Sequence, residues 1–379
     1  MAMAAAAPAP AVRRVALVAP AGEPMRLLRD SLVRQLAARR HRVLAIAPEF
    51  SGDDVAALDE LGAERAELRP ESNALKLFSD WKAVSALKSV LSQWSPHVVL
   101  GCGPKTMVYA ALAAKSAGAE RIVLVVDGLP EQRFSGDLRA DEMPAWRYSQ
   151  ALRAADEAIF YNRDDMALLK RLGILPGTLA AHAVAGGGVD LKANSLLPLP
   201  PLGEGLVFLM RAPLDRRKGV IEYCEAACEL RARAPNTRFL LAGPAVAAET
   251  GIMPGDLAAY PAVEFVGAGD DIQALLARCH FFVYPSHAEG MPQAVLEAMA
   301  AGRPIITSNT AGCRDTVDER VNGCLVEPRN AKALSLAMES FLKRPDLIPS
   351  IARASRAKAE RFCDIEGVSR TLMTAVGVE

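Results

Sequence analysis

The chain has 379 residues, of which 51% are hydrophobic and 5% aromatic, and its 44 Lys and Arg residues balance its 44 Asp and Glu residues. A balanced charge gives no global basis for nucleic-acid binding, and the length predicts two domains rather than one core. The seven cysteines are odd in number and scattered through apolar segments, which indicates reduced, buried thiols rather than a disulfide framework.

The N-terminus and the hydropathy pattern bear on location. Residues 1–11 are rich in Ala and Pro, which predicts disorder. They lack the cationic start and apolar run of a signal peptide, and no stretch of the chain reaches the roughly 18 apolar residues of a membrane span. We therefore expect a cytoplasmic protein.

Residues 12–195 alternate between apolar strands and helical patterns. Strands are predicted at 15–18, 43–46, 97–100, 121–126 and 158–162, with a last one from His182, and helices at 27–36, 53–66, 75–94 and 163–172. Strand and helix in alternation predict parallel units with right-handed crossovers. Loops that follow such strands line a cleft, and Gly22 in the first of them lets the backbone approach a ligand closely.

A Pro- and Gly-rich stretch at 196–205 predicts an interdomain linker. The alternation then restarts, with strands at 206–210, 239–242 and 263–266 and helices at 219–233, 271–278 and 331–344. The second half therefore predicts a second parallel-sheet domain.

The most informative stretch is 281–304, which predicts a strand, a polar loop, and a helix that begins near Pro292 and ends before Gly302. A helix that starts at the carboxyl end of a parallel strand points N–H groups into the crevice, where phosphates bind. Two acids frame this point. Glu289 on the loop can accept hydrogen bonds from sugar hydroxyls, and Glu297 on the inward helix face can take the vicinal hydroxyls of a ribose.

The segment 289–306 resembles the E-x7-E segment of retaining glycosyltransferase family 4, and the segments 311–317 and 321–326 resemble the next loop and strand of that family. The resemblance implies the GT-B fold, an α/β architecture of two Rossmann-like, doubly wound parallel-sheet domains that face each other across a cleft. The segments 105–109 and 127–129 point to members that build capsules and O-antigens.

On this resemblance, residues 12–195 form the domain that receives the acceptor and 206–360 the domain that binds the nucleotide sugar, while 361–379 return to the first domain. Lys105 and Tyr109 are the acceptor-side candidates. Asp127 lies at a strand end where the family carries a His or polar group that contacts donor or acceptor; the alternative is that it caps a turn or helix.

The catalytic candidates are Glu289, Lys218, Arg211 and Asp127. In the family, one Arg and one Lys hold the donor diphosphate, and Lys218 matches that Lys. The Arg position falls on Pro213 when the loop is aligned without a gap, so Arg211, Arg216 and Arg217 all remain open for this role. The donor-binding candidates are Glu297, Gly290, Met291, Pro292, Val295, Leu296, Val266, Gly22, Gly187 and Gly188.

We expect no cofactor and no metal. Two cations and a helix N-terminus can hold a diphosphate, and the acidic pairs at 164–165 and 270–271 occupy helix starts, where caps are expected. The resemblance implies retention of anomeric configuration through same-face attack by the acceptor hydroxyl. The expected partners are a nucleotide sugar, with a hexose on UDP favoured, and a saccharide or lipid-linked saccharide acceptor, but no nucleic acid.

Basic residues near the end of the first helix and around the helix at 75–94 predict peripheral contact between the N-terminal domain and the inner face of an anionic membrane. Two other functions stay open. A sugar-nucleotide epimerase of the same fold would use His287 beside Glu289 as acid and base, and a non-catalytic subunit would bind the sugar nucleotide only.

Overall fold

The computed structural model describes residues 12–68, 76–129, 144–268 and 271–378. The predicted disorder at 1–11 and the predicted cap at Asp270 lie outside the described residues. Within them, two parallel sheets form, one of seven strands and one of six. The predicted fold class, two Rossmann-like α/β domains, is confirmed.

The first sheet has the order β3-β2-β1-β4-β5-β6-β7. Its strands are β1 Arg14–Val18, β2 Arg42–Ala47, β3 Glu64–Glu67, β4 Val98–Cys102, β5 Arg121–Val126, β6 Glu157–Phe160 and β7 Ala180–Ala183. Its helices are α1 Glu23–Leu28, a π-helical segment Arg29–Val33, α2 Arg34–Ala38, α3 Gly52–Glu60, α4 Lys76–Trp94, α5 Thr106–Ala117, α6 Ala145–Ala154 and α7 Arg163–Arg171.

The second sheet repeats this plan with the order β10-β9-β8-β11-β12-β13. Its strands are β8 Val207–Arg211, β9 Arg238–Ala242, β10 Val263–Phe265, β11 Phe281–Tyr284, β12 Ile305–Ser308 and β13 Gly323–Val326. Its helices are α8 Val220–Arg233, α9 Ile272–Ala277, α10 Gln293–Ala300, α11 Ala331–Leu342, α12 Ile348–Phe362 and α13 Ile365–Val376. Short 3-10 turns occur at Leu202–Glu204, Arg216–Lys218, Pro254–Ala259, Arg314–Thr316 and Pro345–Leu347.

Both faces of the first sheet are covered, as the alternation of side chains along β1 shows. Val15 and Leu17 belong to the core shared with α1, α2 and the second domain, whereas Ala16 and Val18 belong to a separate core beneath α4, α5 and α6. A strand buried on both faces must be apolar throughout, and this explains its continuous apolar run. The last helix, α13, packs against β5 and β6 of this sheet, and Arg121 donates a hydrogen bond to the carbonyl of Ala375.

The helix predicted at 53–66 is wrong over its second half. α3 ends at Glu60, the chain turns at Gly62 with a φ of 67°, and residues Glu64–Glu67 form the edge strand β3. This strand carries three charged residues in four and is largely exposed, so it lacks the apolar signal that marks the inner strands. Charged side chains are typical of sheet edges, where they oppose pairing with other chains.

Candidate functional site

The site lies where the strand order of the second sheet reverses, between β8 and β11. These strands pair in parallel through Phe208 with Phe281 and Leu209 with Phe282, so their carboxyl ends open side by side. Ligands of open α/β sheets bind at such a reversal. The β11–α10 loop, residues 285–292, and the turn Arg216–Lys218 after β8 meet at this point.

The turn after β8 is fixed against the β11–α10 loop by close backbone contact. Gly219 has a φ of 77°, and a Cβ at this position would overlap the carbonyl of Pro285. The carbonyl of Arg217 accepts hydrogen bonds from His287 N at 2.9 Å and Ser286 Oγ at 3.2 Å. Lys218 is therefore held beside the loop that carries Glu289.

The Glu289 carboxylate is the centre of a nearly buried polar cluster. Its Oε1 accepts hydrogen bonds from Lys218 Nζ at 2.6 Å, Ser286 Oγ at 2.8 Å and the Tyr284 hydroxyl at 3.0 Å. The side chain is only 11% exposed, against 28% for Lys218. A buried carboxylate needs such partners, and together they fix its orientation.

A second ion pair lies at the end of β8. Arg211 Nη1 is 4.0 Å from Glu297 Oε2, which projects from α10 with 11% of its side chain exposed. The other two arginines are placed differently. Arg217 is paired with the buried Asp215 at 2.6 Å, and Arg216 is exposed on the surface of the turn. Arg211 is the one of the three that the fold brings to Glu297.

Three glycine backbones lie in close contact where the first domain meets the β11–α10 loop. A Cβ on Gly128 would lie 2.8 Å from Gly290 Cα, and a Cβ on Gly312 would lie 2.7 Å from Gly290 C. A Cβ on Gly290 itself would overlap the carbonyl of Asp127. The loop after β5 thus packs directly against the loop that carries Glu289, and this packing excludes any larger residue at these positions.

Two carboxyl groups lie beneath this contact. The pKa of Asp127 is raised to about 6, mainly by burial and in smaller part by the neighbouring Asp165. Burial likewise raises the pKa of Asp165 to about 6, although hydrogen bonds from Asn162 and the Leu129 amide oppose that shift. Asn162 also donates to the carbonyl of Gly290 at 2.8 Å, which ties this cluster to the second domain.

The glycines at 186–188 lie at the other end of the β11–α10 loop. A Cβ on Gly186 would lie 3.0 Å from Met291 Cβ, and the carbonyl of Gly188 accepts a hydrogen bond from Gln293 at 3.1 Å. A Cβ on Gly187 would meet Leu27 of α1 at 2.7 Å, and Gly188 abuts Ile365 at the start of α13. The structure therefore brings the segment to the N-terminus of α10, where Pro292 is the N-cap residue.

Other predicted positions are placed less directly. Val295 and Leu296 are fully buried in the core, so only their backbone can face a ligand. The amide of Val266, just after β10, donates to Leu241, and Gly22 precedes α1 with a φ of 81°. Lys105 is exposed at the start of α5, and Tyr109 is half-buried one turn later, both at the carboxyl edge of the first sheet.

Sequence reasoning missed Tyr284, Ser286 and Asn162. The first two adjoin the E-x7-E segment, but their contact with Glu289 depends on how the loop folds. Asn162 follows β6 and is the N-cap residue of α7, a local role that gives no sign of its bond to Gly290. His287 pairs with Glu222 at 2.8 Å and not with Glu289, so the acid and base pair of an epimerase is not assembled here.

The described residues contain neither a candidate metal centre nor a helix that could span a membrane. In residues 12–68, 76–129, 144–268 and 271–378, no group of three or more His, Cys, Asp or Glu side chains is arranged to hold a metal ion. None of the helices described has the length and apolar character to cross a membrane.

Comparison with known proteins identifies the family. The family model for group 1 glycosyl transferases matches residues 204–344, and that for the glycosyl transferase 4-like domain matches residues 29–183. Relatives include the N,N'-diacetylbacillosaminyl-diphospho-undecaprenol α-1,3-N-acetylgalactosaminyltransferase of Campylobacter jejuni, which is 26% identical over 92% of this chain and 94% of its own. The UDP-Gal:α-D-GlcNAc-diphosphoundecaprenol α-1,3-galactosyltransferase of Escherichia coli is 25% identical over 67% and 68%.

Solved structures support the same fold. The crystal structure of Anabaena HepE in complex with UDP superposes with a TM-score of 0.75 over 97% of this chain and all of its own, at 17% identity. At that identity the likeness bears on the fold alone, which is GT-B. The two family models together cover most of both domains, and they show that the chain belongs to the family 4 glycosyltransferases.

Proposed function

We propose that the protein is a retaining, metal-independent hexosyltransferase that moves a sugar from a UDP-sugar to a lipid-linked saccharide. The observation that carries this proposal is the pair of ion pairs at the reversal point, Lys218 with Glu289 and Arg211 with Glu297. Each pair offers a cation for a diphosphate and a carboxylate for hydroxyl groups. These are the two functional groups that a nucleotide sugar presents together.

Each side chain has a role on this proposal. Lys218, Arg211 and the N-terminus of α10 hold the diphosphate, where negative charge grows as the anomeric C–O bond breaks. Glu289 and the amides of Gly290 and Met291 orient the hexose, and Glu297 holds the ribose. Lys218 then divides its hydrogen bonds between Glu289 and a phosphate oxygen, which its three donors allow.

The acceptor enters from the first domain. Asp127 and Gly128 already touch the loop that carries Glu289, so a hydroxyl bound on that side lies next to the hexose. In same-face attack the acceptor oxygen bonds to the anomeric carbon as the diphosphate leaves, and the hydroxyl proton passes to the departing phosphate oxygen. The two relatives named above carry diphosphoundecaprenol in their names, and for this reason we favour a lipid-linked acceptor.

The domain boundaries belong to the same proposal. We assign residues 12–195 to the acceptor domain, 196–205 to the linker, 206–360 to the nucleotide-sugar domain and 361–379 to the returning segment. The packing of α13 on β5 and β6 supports this division. Val189 and Asp364 form a single parallel bridge where the chain crosses back.

Ligand-induced melting shifts test the donor. We expect UDP-sugars to raise the Tm more than GDP- or ADP-sugars, with the same shift in chelator. Arg211→Ala should reduce the UDP shift, while Arg216→Ala, in the exposed part of the turn that follows β8, should leave the shift intact. A shift that disappears in chelator would refute metal independence, and isomerised donor without acceptor would indicate an epimerase.

A further inference from the structure

An open apolar cavity of about 410 Å³ lies in the first domain, apart from the ion pairs described above. Its volume is within the range of about 300–1,000 Å³ typical of small-molecule sites. It opens at the carboxyl edge of the first sheet, between the strand ends and helix α4. The described residues that line it include Val18, Ile46, Lys82, Ala83, Ala86 and Tyr109.

The cavity continues the core beneath α4 and α5. Val18 and Ile46 point to the face of the sheet that these helices cover, and Leu87 of α4 belongs to the same core. Nearer the edge, Ala83 and Ala86 of α4 line the cavity with short side chains. Alanines at these positions leave room that leucines would fill, so apolar surface of the strands stays accessible to a slender hydrocarbon chain.

The rim carries charge and an exposed aromatic ring. Lys82 lines the cavity and is exposed, and Lys105 is exposed next to the lining residue Thr106; among the described residues that line the cavity, Glu67 carries the one carboxylate. Trp81, next to Lys82 on α4, is 72% exposed, and Trp146 at the start of α6 is 61% exposed with Arg147 beside it. Tryptophan and cationic side chains are enriched where proteins meet the headgroup region of a membrane.

The position of the cavity relative to the donor site follows from the strand order. The cavity spans the ends of β3, β2 and β1, and the loop after β5 touches Gly290. Two strand spacings separate β1 from β5, about 10 Å across the sheet. A diphosphate with its first sugar bridges a gap of this size.

We propose that this cavity binds the first isoprene units of the polyprenyl chain of the acceptor, with Lys82 and Lys105 beside its diphosphate. This inference rests on the proposed function and assigns the lipid end of the acceptor to a defined site. An apolar floor suits the chain, two cations at the rim suit the diphosphate, and the exposed Trp81 and Trp146 suit a protein that draws its substrate from a membrane.

Direct binding of a polyprenyl diphosphate tests the assignment without any need for turnover. The probe is geranylgeranyl diphosphate, titrated by tryptophan fluorescence and calorimetry against the full chain. We expect saturable binding that Ala83→Phe weakens at least about tenfold, because the added ring fills the cavity. Ala86→Trp is a second filling variant, and since Ala86 is exposed, it avoids strain in the core.

Ala357→Phe on the exposed face of α12 is the matched control and should bind the probe as the wild type does. The UDP melting shift should survive in all three variants, which shows that they are folded and keeps this test separate from that of the donor site. The assignment is wrong if the filling variants bind the probe as tightly as the wild type does. It is also wrong if these variants lose binding to phosphatidylcholine vesicles to the same extent as binding to the probe. If the wild-type protein does not bind UDP, the proposed function itself is wrong.

Discussion

At the scale of single residues, Glu289 is the side chain on which the proposed function depends most. Three donors converge on one of its oxygens, and one of them is the ammonium of Lys218. Before the donor binds, this pair stabilises both charges. On the proposed function, Lys218 gains a second anion when a diphosphate binds, and the carboxylate stays in place to orient the hexose. The ion pair thus keeps both groups positioned in advance.

The proposed role of Glu289 predicts that its substitution lowers turnover but has little effect on the binding of UDP. Glu289→Gln should lower kcat at least about 100-fold, the cost of losing one preorganised electrostatic group, while UDP affinity changes little. The amide keeps the shape of the side chain but cannot hold Lys218 as an ion pair. Steady-state kinetics and UDP titration measure the two effects.

Glu339→Gln on α11 is the matched control for that prediction. Glu339 pairs with Lys343 at 2.9 Å, far along the chain from the site, and its loss should leave kcat unchanged. If Glu289→Gln keeps kcat within about threefold of the wild type, the proposed role of Glu289 is wrong.

Asp127 gives a prediction about stability and pH. Its pKa in the folded protein is about 6, above the ordinary value of 3.8, so the fold disfavours its ionised form. The cost therefore grows as the pH rises from about 4 to about 6 and is complete above that. Asp127→Asn cannot ionise, so it should gain about 1–3 kcal/mol of stability over the wild type at pH 8 and nothing near pH 4.

Denaturant unfolding across this pH range checks the sign. Asp346→Asn is the control, because the bond to Arg344 lowers the pKa of that carboxyl, and its loss brings no gain at high pH. A gain for Asp127→Asn that is equal at pH 4 and pH 8 would contradict the role of ionisation.

At the scale of elements, the inner strands and the helix after β11 could be predicted because their signals are local. β11 is an uninterrupted apolar run, and α10 is framed by Pro292 and Gly302, so both emerged close to their observed bounds. β3 could not be predicted, since its charged residues match no strand pattern. Its pairing with β2 is decided by the sheet that forms beside it.

The parts of the site differ in how far the local sequence encodes them. Glu289 and Glu297 belong to one local segment, so the sequence alone was enough to predict that they share a site. Which of Arg211, Arg216 and Arg217 lies beside Glu297 depends on the path of the chain after β8, and in that turn Arg217 forms an ion pair with Asp215. The contact of Gly128 with Gly290 joins residues from different domains, and no local pattern encodes a contact of that kind.

Three histidines at strand starts share a structural role. The Nδ1 atoms of His41, His97 and His280 accept hydrogen bonds from the backbone amides of Arg13, Arg14 and Val207 at 3.1, 2.9 and 3.0 Å. In each case the bond joins the beginning of one strand to its neighbour. Only an unprotonated ring nitrogen can accept such a bond.

These bonds predict a loss of stability in acid. Burial lowers the pKa of His280 and of His41 below the ordinary value of 6.5. Their contribution to stability is therefore fully present above about pH 6.5 and is lost as the pH falls through the folded-state pKa values. His280→Asn keeps an acceptor that does not titrate there, so its Tm should decline less between pH 7 and 5 than that of the wild type.

Two further variants sharpen the test. His280→Ala leaves the Val207 amide buried without its acceptor, and should cost about 1–3 kcal/mol at pH 7. His182→Asn changes a histidine whose side chain is 55% exposed and should cost little stability at pH 7. A His280→Asn profile as steep as that of the wild type would rule out protonation of this ring as a cause.

At the scale of the whole molecule, the two domains are joined around the N-terminus of α7. Asn162 bonds to Gly290, the amide of Arg163 donates to Asp315 at 3.2 Å, and Asp164 pairs with Arg314 at 2.6 Å. These bonds hold the loop after β5 against the loop that carries Glu289. Any movement that separates the two domains at this point must break these bonds.

The exposed ion pair between Asp164 and Arg314 allows this joint to be tested without disturbing a core. Asp164→Arg places two cations face to face and should lower kcat/KM about twofold to fivefold, since a surface pair contributes only about 0.2–1 kcal/mol. Arg314→Asp should lower kcat/KM in the same way, because it places two acids face to face.

The double variant with exchanged charges restores the attraction and should recover most of the activity. Added salt should reduce the differences between the variants, because the side chains of Arg314 and Asp164 are 45% and 40% exposed. Recovery of kcat/KM in the double variant requires a contact between these two residues. If the kcat/KM of the double variant is no higher than that of the worse single variant, this ion pair does not hold the two domains together in the active protein.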